Sequence, residues 1–378
     1  MIGAKGDTLS LINPQDRSRL RRLPCPPRSS WPVGAEARPA APAALNRRPT
    51  RQAATFPSIV VTGRGDAGSV GTAIAELHEE LLRTGFGSLA VVRAALRFFS
   101  QSANAPSAKM ALDLAIQADA MGHRHPYHNA GHLCEVTVNM ANLAALNASR
   151  NAGVVLGKND IILAIAAAVS HDLHHDGTTN DVPIHDDAGN PIFDLAGKPV
   201  MMNVPFLLED MSIAAINIAG QRAGVSERNL RRLRALILIT DPITGYRILD
   251  AMQDARCDPG TKNELLALRP ELAMLDDPAT LRMALMLRDA DLLGSCGTSA
   301  TEHDRETARL EKERGMSAGG LHGRGTEYFM GTIARGRFLS PEGQFFQCNL
   351  EYLRGLNFIR LQTGDPGTVT LAELEQKQ

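Results

Sequence analysis

The chain has 378 residues, of which 44% are hydrophobic, enough to bury one large core or two modest ones. Its formal net charge is −1, but residues 1–55 hold ten Lys and Arg against three acidic residues, so the remainder carries −8. Such an acidic body argues against nucleic-acid binding as the main task. The longest apolar run, residues 161–169, is far too short to span a bilayer.

Residues 1–55 are rich in Pro, Ala and Arg and lack the apolar segment of a signal peptide. Because this composition cannot bury enough surface to offset its ordering entropy, we predict a disordered extension, with a transit peptide as the alternative. The folded catalytic domain is then residues 56–378. The five cysteines are scattered without any CxxC, which favours a reducing compartment, and we predict the cytoplasm.

From Gly71 onward apolar residues recur at three- and four-residue spacing, which predicts an all-α fold, a compact multi-helix bundle. The first helix should end at Gly85, a C-cap residue. Later helices are expected at about 205–222, 226–239, 261–268, 278–292, 301–314 and 343–361. Residues 181–203 lack the helical spacing and contain two similar stretches, "AGNPI" and "AGKPV". This tandem echo of turn-forming residues predicts a small β-hairpin insert, which is either a rim of the site or a surface loop.

Two stretches concentrate the histidines, "HPYHNAGH" at 125–132 and "HDLHHDGTTN" at 171–180. His128 and His132 are four residues apart, as are His171 and His175, so each pair lies on one face if it shares a helix. Imidazole together with the carboxylate of Asp172 is a ligand set for zinc, manganese or iron. We therefore predict that His132, His171 and Asp172 meet at a metal, with Asp172 able to bridge two ions.

Further ligands are expected in "LMLRDADLLGS", where Asp289 and Asp291 end an apolar helix. Carboxylates on such a helix are costly unless they are paired or bound to a metal. Their spacing places the two on different faces, so only one should point at the site. A solvated helix end is the alternative.

These motifs resemble those of the class I 3′,5′-cyclic nucleotide phosphodiesterase family, within the HD-domain superfamily of helical metallohydrolases. "YHNAGHLCEV" is similar to its Tyr-His-Asn-x-x-His-x-x-Asp-Val motif and "HDLHHDGTTN" to its His-Asp-x-x-His-x-Gly-x-x-Asn motif, while "ADLLGS" is similar to an Ala-Asp-Leu segment. The resemblance spans roughly residues 105–295. The chain departs from the pattern at Glu135 and His174, where the family usually has Asp.

The resemblance implies roles for particular residues. His132, His171, Asp172 and Asp291 would bind a first metal, zinc, and Asp172 would bridge to magnesium or manganese. His128 would be the general acid that protonates the leaving 3′ oxygen. His175 would contact the bridging water or the phosphate, and Glu209 would order a metal-bound water. The weaker pocket candidates are Tyr127, Asn180 and Gln344, the last because the family clamps the purine with a glutamine and a phenylalanine.

The implied activity is hydrolysis of cyclic AMP or cyclic GMP to 5′-monophosphates, with two metals lowering the pKa of a shared water to about 7 so that it becomes hydroxide. The implied partner is a small nucleotide, with no nucleic acid and no membrane span. Three alternatives stay open: another HD-domain phosphohydrolase such as a nucleotidase or dNTPase, a di-iron oxygenase that would use the surplus His174, His175 and His185, and an inactive module that only binds nucleotide.

Overall fold

A computed structural model describes residues 66–150, 153–186, 189–194, 196–317, 319–321 and 324–363. The predicted N-terminal extension 1–55 lies outside these residues, as does the start of the predicted domain at 56–65. The described part is helical apart from one small antiparallel sheet, so the predicted all-α class is confirmed. Among the described helices, none is long and apolar enough to cross a lipid bilayer.

Among the described residues, five helices precede the insert, and the two histidine motifs lie at the start of the fourth helix and directly after the end of the fifth. The five helices are α1 (Ala67–Thr84), α2 (Ser88–Phe98), α3 (Pro106–Met121), α4 (Ala130–Arg150) and α5 (Lys158–Ser170). The strands β1 (Asp181–Pro183) and β2 (Met201–Asn203) follow. After them come α6 (Glu209–Ala223), α7 (Glu227–Leu238), α8 (Thr244–Gln253), α9 (Pro259–Leu266), a 3-10 helix (Pro270–Asp276), α10 (Pro278–Cys296) and α11 (Ala300–Glu313).

The C-terminal elements are α12 (Arg324–Tyr328), a π-helical turn (Phe329–Ile333), a 3-10 helix (Gly343–Phe346) and α13 (Gln347–Thr363). The π-helical turn and the helix α8 were not predicted. A short or irregular helix offers too few periodic positions for its apolar spacing to be recognised. The helix α10 runs to Cys296, beyond the predicted end near 292, so Asp289 and Asp291 lie within it and not at a solvated end.

Helix ends follow local side-chain chemistry. Asp66 caps α1 by accepting a hydrogen bond from the backbone N–H of Ser69 at 2.8 Å, and Asp277 accepts from Thr280 at 3.0 Å to start α10. Gly85 ends α1 in the left-handed conformation, with φ of 67°, as predicted. These caps fix where each helix begins and ends, and therefore where its terminal side chains lie.

The helix α5 is the centre of the bundle. All residues from Ile161 to Ser170 are buried, because this run of Ile, Leu, Val and Ala has no polar face. It packs against α3, α4 and α10, and α4 also contacts α10. The C-terminal end of α5, the N-terminal end of α4 and the middle of α10 consequently meet inside the fold.

The insert confirms the predicted hairpin and adds a second reversal. Asp181 pairs with Asn203 and Pro183 with Met201 in the antiparallel ladder. Between the strands the chain turns twice with the same chemistry: the Asp186 carboxylate accepts from the backbone N–H of Asn190 at 2.8 Å, and that of Asp194 accepts from Lys198 at 2.9 Å. The tandem echo in the sequence therefore corresponds to two similar turns.

Replacing Leu163 by Ala should lower the free energy of unfolding by about 2–5 kcal/mol, since the side chain is fully buried in α5 and its loss leaves a cavity. The matched control is Ile116→Ala on α3, where the side chain is 53% exposed and a change within about 0.5 kcal/mol is expected. Urea unfolding of both variants measures the difference. Equal losses would contradict a central position for α5.

Candidate active site

The two histidine motifs meet through helix ends. His132 lies in the first turn of α4, whereas His171 and Asp172 directly follow the last residue of α5. Neither pair at four-residue spacing shares a helix, because α4 begins after His128 and the chain leaves α5 before His175. His174 has φ of 68°, which turns the backbone away from the helical path. The condition for the same-face geometry is thus not met, although the chain still brings the side chains together.

Four predicted ligands converge. The Nε2 atom of His132 lies 3.4 Å from Asp172 Oδ2 and 3.3 Å from Asp291 Oδ1. The Nε2 atom of His171 lies 3.2 Å from Asp172 Oδ2 and 3.6 Å from Asp291 Oδ1. Two imidazole nitrogens and two carboxylates from three different segments therefore surround one small volume.

The donor atoms fit a divalent cation. His171 Nδ1 lies 3.0 Å from the carbonyl oxygen of Ala168, so it donates there and leaves Nε2 with a free lone pair. The Nε2 atoms of His132 and His171 are buried and make no hydrogen bond in the described structure, which is costly for polar atoms unless a ligand engages them. Nitrogen and carboxylate oxygen in this number suit zinc and similar transition metals.

The electrostatics of the cluster favour positive charge. Burial by itself would lower the pKa of His132, but the nearby carboxylates of Asp172 and Asp291 outweigh burial and raise the pKa to about 9. Despite burial, which opposes the shift, the histidines hold the pKa of Asp172 well below its usual range. The four side chains attract a cation, whether a proton or a metal ion.

A cavity of about 590 Å³ opens beside this cluster. The polar residues that line it, defined here as its polar side, include Tyr127, His128, His132, Asp172, His175, Asn180, Glu209, Asp241 and Asp291. Its apolar side includes Ile243, Leu292, Leu310, Leu321, Phe329 and Ile333. A volume of this size accepts a ligand as large as a nucleotide. Asp181 and Asn203 also line it, so the base of the insert forms part of the rim.

His128 is held by a carboxylate that the sequence analysis missed. Its Nδ1 makes a very short hydrogen bond to Glu313 Oε1, while the backbone N–H groups of Tyr127 and His128 donate to Glu313 Oε2 at 2.8 and 2.9 Å. The Nε2 atom of His128 lies 3.9 Å from Asp172 Oδ2. Its ring also stacks on that of His175, with centroids 3.8 Å apart. Glu313 thus directs the free nitrogen of His128 toward the cluster.

His175 is kept neutral beside this pair. Burial and the neighbouring charge of His128 lower the pKa of His175 to about 4. Its Nδ1 accepts a hydrogen bond from the backbone N–H of Gly177 at 2.9 Å, which leaves Nε2 protonated. A neutral ring can stack on His128 without adding a second positive charge.

Asn180 organises a second group of carboxylates. Its amide nitrogen donates to Glu209 at 3.1 Å and to Asp241 at 3.0 Å, and its amide oxygen accepts from the backbone N–H of Leu208 at 2.9 Å. Burial, reinforced by the charge of Asp241, raises the pKa of Glu209 to about 8. The predicted Asn180 and Glu209 therefore share the cavity with Asp241, which no motif indicated.

Two tyrosines border the cluster. The ring of Tyr127 lies 4.7 Å from that of His132 and 4.8 Å from that of His128, so this predicted pocket residue packs between the candidate ligand and the candidate acid. The hydroxyl of Tyr246, which the sequence analysis did not single out, donates to Asp291 Oδ2 at 3.3 Å. Both rings restrict how the metal-ligating side chains can rotate.

The other residues considered in the sequence lie outside the cluster. Gln344 is exposed on the 3-10 helix Gly343–Phe346 and is absent from the cavity lining, so the fold does not bring this pocket candidate to the site. Asp289 is buried on a different face of α10 from Asp291, in agreement with their spacing. His174 and His185 are exposed.

A buried charge network lies beneath His132. Glu135 accepts from Arg305 at 3.1 Å and from Arg309 at 3.2 Å, and Arg309 also donates to Glu306 at 2.7 Å. Burial opposes ionisation of Glu135, but the charges of Arg309 and Arg305 lower its pKa to about 2. The departure from Asp to Glu at 135 therefore leaves an ionised carboxylate behind the candidate ligand.

Glu313→Gln should reduce stability in a pH-dependent manner. Burial alone would raise the pKa of Glu313, but hydrogen bonding and charge from His128 lower it from 4.5 to about 2. The carboxylate thus stabilises the fold above pH 4.5, and this contribution is lost as the pH falls toward 2. We expect a loss of about 1–2 kcal/mol at pH 7, discounted for partial exposure, that shrinks below pH 4.5.

Urea unfolding between pH 7 and 3 measures this difference, with Glu264→Gln, at an exposed position, as the control for the loss of one carboxylate. A deficit that stays constant across that pH range would contradict the proposed pairing of Glu313 with His128.

A family model matches the segment that contains the two histidine motifs. Residues 127–193 match the sequence model of the family described as 3′5′-cyclic nucleotide phosphodiesterase. No curated protein matches the chain. The matched residues include Tyr127, His128, His132, His171 and Asp172, and the match supports the prediction that the protein is a metal-dependent phosphodiesterase.

Two similar solved structures each share less than 20% sequence identity with this chain. The phosphodiesterase domain of the RhoPDE fusion protein from the choanoflagellate Salpingoeca rosetta is 19% identical, with a TM-score of 0.45 over 85% of this chain and 96% of that one. A second structure, of the phosphodiesterase domain of the Salpingoeca rosetta rhodopsin phosphodiesterase, is 18% identical, with a TM-score of 0.48 over 85% and 93%. These values are too low to assign a function. Over residues 127–193, the predicted resemblance to the class I cyclic nucleotide phosphodiesterase family is confirmed, at a divergent level.

Proposed function

We propose that this protein hydrolyses 3′,5′-cyclic nucleotides to 5′-nucleoside monophosphates. The observation that carries the proposal is the meeting of His132, His171, Asp172 and Asp291 beside a cavity of about 590 Å³, with a carboxylate-held His128 3.9 Å from Asp172. A ligand set for a divalent cation can supply a hydroxide nucleophile, and a separate proton donor can protonate the leaving oxygen of a phosphodiester.

In this proposal His132, His171, Asp172 and Asp291 would hold zinc. Asp172, which lines the cavity and has two carboxylate oxygens, would also serve as a ligand for magnesium or manganese. When bound, the ions supply a hydroxide nucleophile at neutral pH and neutralise charge on the phosphoryl oxygens. Tyr246 would steady Asp291 through its hydroxyl, and His171 would be oriented by its bond to Ala168.

His128 is the proposed general acid. The acid would be the imidazolium form of His128, in which Glu313 holds the Nδ1–H group and the proton to be transferred sits on Nε2, on the side of Asp172. From there it would pass to the 3′ oxygen as the P–O bond breaks, which avoids the release of a strongly basic alkoxide. His175, stacked on His128, would contact the phosphate through its Nε2–H.

The second carboxylate group has a different task. Glu209, with its pKa near 8, would hydrogen-bond a water molecule on the polar side of the cavity, while Asn180 and Asp241 keep its side chain in place. The nucleoside would lie against the apolar side, where Phe329 and Ile333 offer flat and aliphatic surface. Because Gln344 lies elsewhere, its amide would not clamp the base.

One observation favours a second candidate function. A nucleotidase or another HD-domain phosphohydrolase needs the same metal ligands but no amide clamp for a purine, and none is provided by Gln344. The di-iron oxygenase has less support, since His174 and His185 are exposed and Nδ1 of His128 already bonds Glu313. An inactive nucleotide-binding module is disfavoured because the four ligands are assembled.

We further propose the cytoplasm as the location and residues 56–378 as one catalytic domain. The cysteines of the described part that support a reducing compartment are all free: Cys134, Cys257, Cys296 and Cys348. The single core cluster, which runs from Val70 to Leu353 among the described residues, supports one domain.

A substrate panel tests the proposed function. The purified protein should hydrolyse cyclic AMP, cyclic GMP or both, and bis(p-nitrophenyl) phosphate, faster than p-nitrophenyl phosphate when zinc and magnesium or manganese are present. Metal analysis should find zinc. Activity confined to the monoester would indicate a nucleotidase, and an iron-loaded protein inert on every phosphoester would overturn hydrolysis altogether.

Two variants separate metal binding from proton transfer. His128→Ala should keep its bound metal while kcat for cyclic nucleotides falls by about 10²–10⁴-fold, because only the proton donor is lost. Asp172→Ala should lose most of its metal, since it removes the bridging carboxylate. His123→Ala is the control at an exposed histidine. Full turnover in His128→Ala would remove the general-acid assignment.

A further inference from the structure

Two charged residues of α10 are fully buried and take no part in the proposed chemistry. Arg288 is 1% exposed and Asp289 is 0% exposed, and they precede the candidate ligand Asp291 on the same helix. Their side chains form an ion pair of 3.0 Å. Burying such a pair is costly unless further hydrogen bonds satisfy it, so its other contacts indicate what it does.

Arg288 binds the chain that follows the π-helical turn. Its Nη2 donates to the carbonyl oxygen of Ala334 at 2.7 Å, and its Nη1 donates to that of Arg337 at 2.7 Å. The planar guanidinium reaches both carbonyls at once, which a lysine ammonium could not do in the same geometry. Its carbon Cζ also lies 5.0 Å from the ring centre of Tyr246, the residue that donates to Asp291.

Asp289 binds the next residues of the same segment. Its carboxylate accepts from the backbone N–H of Leu339 at 3.0 Å and from that of Ser340 at 2.6 Å. Gly343 packs so closely that an added Cβ would lie 2.3 Å from Asp289 Oδ2. Arg288 and Asp289 together therefore attach residues 334–340 to α10 through two backbone carbonyls and two backbone amides.

The attached segment carries one wall of the cavity. We define this wall as residues 326–333, of which Thr326, Tyr328, Phe329 and Ile333 line the cavity. Hydrogen bonds join the wall to residues 334–340. The backbone N–H of Ala334 donates to the carbonyl oxygen of Phe329 at 2.8 Å, and that of Gly336 donates to the carbonyl oxygen of Met330 at 2.7 Å. Moving residues 334–340 would consequently move the wall.

We infer that Arg288 and Asp289 are a positioning pair that fixes this wall against the helix bearing Asp291, so that the pair governs how the nucleoside binds and not how the phosphodiester is cleaved. The inference rests on the proposed function for the identity of the ligand. Its structural part, the attachment of the wall to α10, rests only on the contacts above.

The double variant Arg288→Met with Asp289→Asn tests the pair without leaving an unpaired buried charge. Methionine keeps most of the buried volume of Arg288 but donates no hydrogen bond. Asparagine at 289 has one side-chain oxygen, so it offers one acceptor atom where the carboxylate offers two to the N–H groups of Leu339 and Ser340. KM for the cyclic nucleotide that the protein hydrolyses should rise by about tenfold, with kcat within about threefold of the wild type. Metal content and kcat/KM for bis(p-nitrophenyl) phosphate, which has no nucleoside, should not change.

The matched control removes another ion pair between helices, in which Arg232 is buried and Asp160 is partly exposed. Arg232 donates to Asp160 at 2.8 Å between α7 and α5, and neither residue lines the cavity. Arg232→Met with Asp160→Asn should leave KM unchanged. An equal rise in KM in both double variants would show a general effect of destabilisation, and an equal loss on both substrates would place the pair in the hydrolytic centre. Either result would overturn the inference.

Hydrogen exchange gives a readout that needs no activity. In the Arg288→Met, Asp289→Asn variant, amides of residues 326–340 should exchange about tenfold faster, while those of α5 stay protected and the control variant shows no change in 326–340. Unchanged exchange there would overturn the inference even if cyclic nucleotides are hydrolysed. A wild-type protein inert on every phosphodiester would instead remove the proposed function, and the exchange data would still decide the attachment.

Discussion

The close approach of two buried imidazoles to two carboxylates is the constraint around which the molecule is arranged. The Nε2 atoms of His132 and His171 lie within 3.2–3.6 Å of Asp172 and Asp291, yet they have no other hydrogen-bond partner. Such atoms are costly to bury without a proton or a cation between them. Packing of α5 offsets this cost, because the helix is apolar on all sides and its burial brings the ends of the neighbouring helices together.

The helix α11 contacts the site at two places, near His132 and at His128. Glu306 lies close to His132 and Glu135 in the buried charge network, and Glu313, two turns later on the same face, binds His128. Arg305 and Arg309 balance the glutamates. One helix thereby sets the environment of a candidate metal ligand and the orientation of the candidate acid. A shift of α11 would disturb both together.

The cavity has walls of different origin. Its polar side belongs to residues next to the metal-ligating cluster, whereas Phe329 and Ile333 reach it from a π-helical turn near the C-terminal end of the described chain. The base of the insert closes another part of the rim through Asp181 and Asn203. The residues proposed for the chemistry and some of the apolar residues that shape the pocket therefore belong to different segments. The apolar residues could change in sequence without altering the metal-ligating cluster.

The sequence by itself determined the helical class, the insert and the identities of the four converging side chains. Helical spacing is a local property, and His and Asp in two dense motifs carry their chemistry in their residue types. The spacing of Asp289 and Asp291 also sufficed to separate their faces. The spacing of His128 and His132 left open whether they share a helix, because a helix start depends on local backbone turns that side-chain spacing does not report.

Only the tertiary structure decided the partners of those side chains. Glu313 and Asp241 lie far from the motifs in the chain, and α11 has the charged composition of a solvated helix although Glu302, Arg305 and Glu306 are buried. Gln344 occupied a plausible position in sequence, but the 3-10 helix carries it to the surface. Contacts between residues distant in the chain arise from packing, and a single sequence contains no local signal for them.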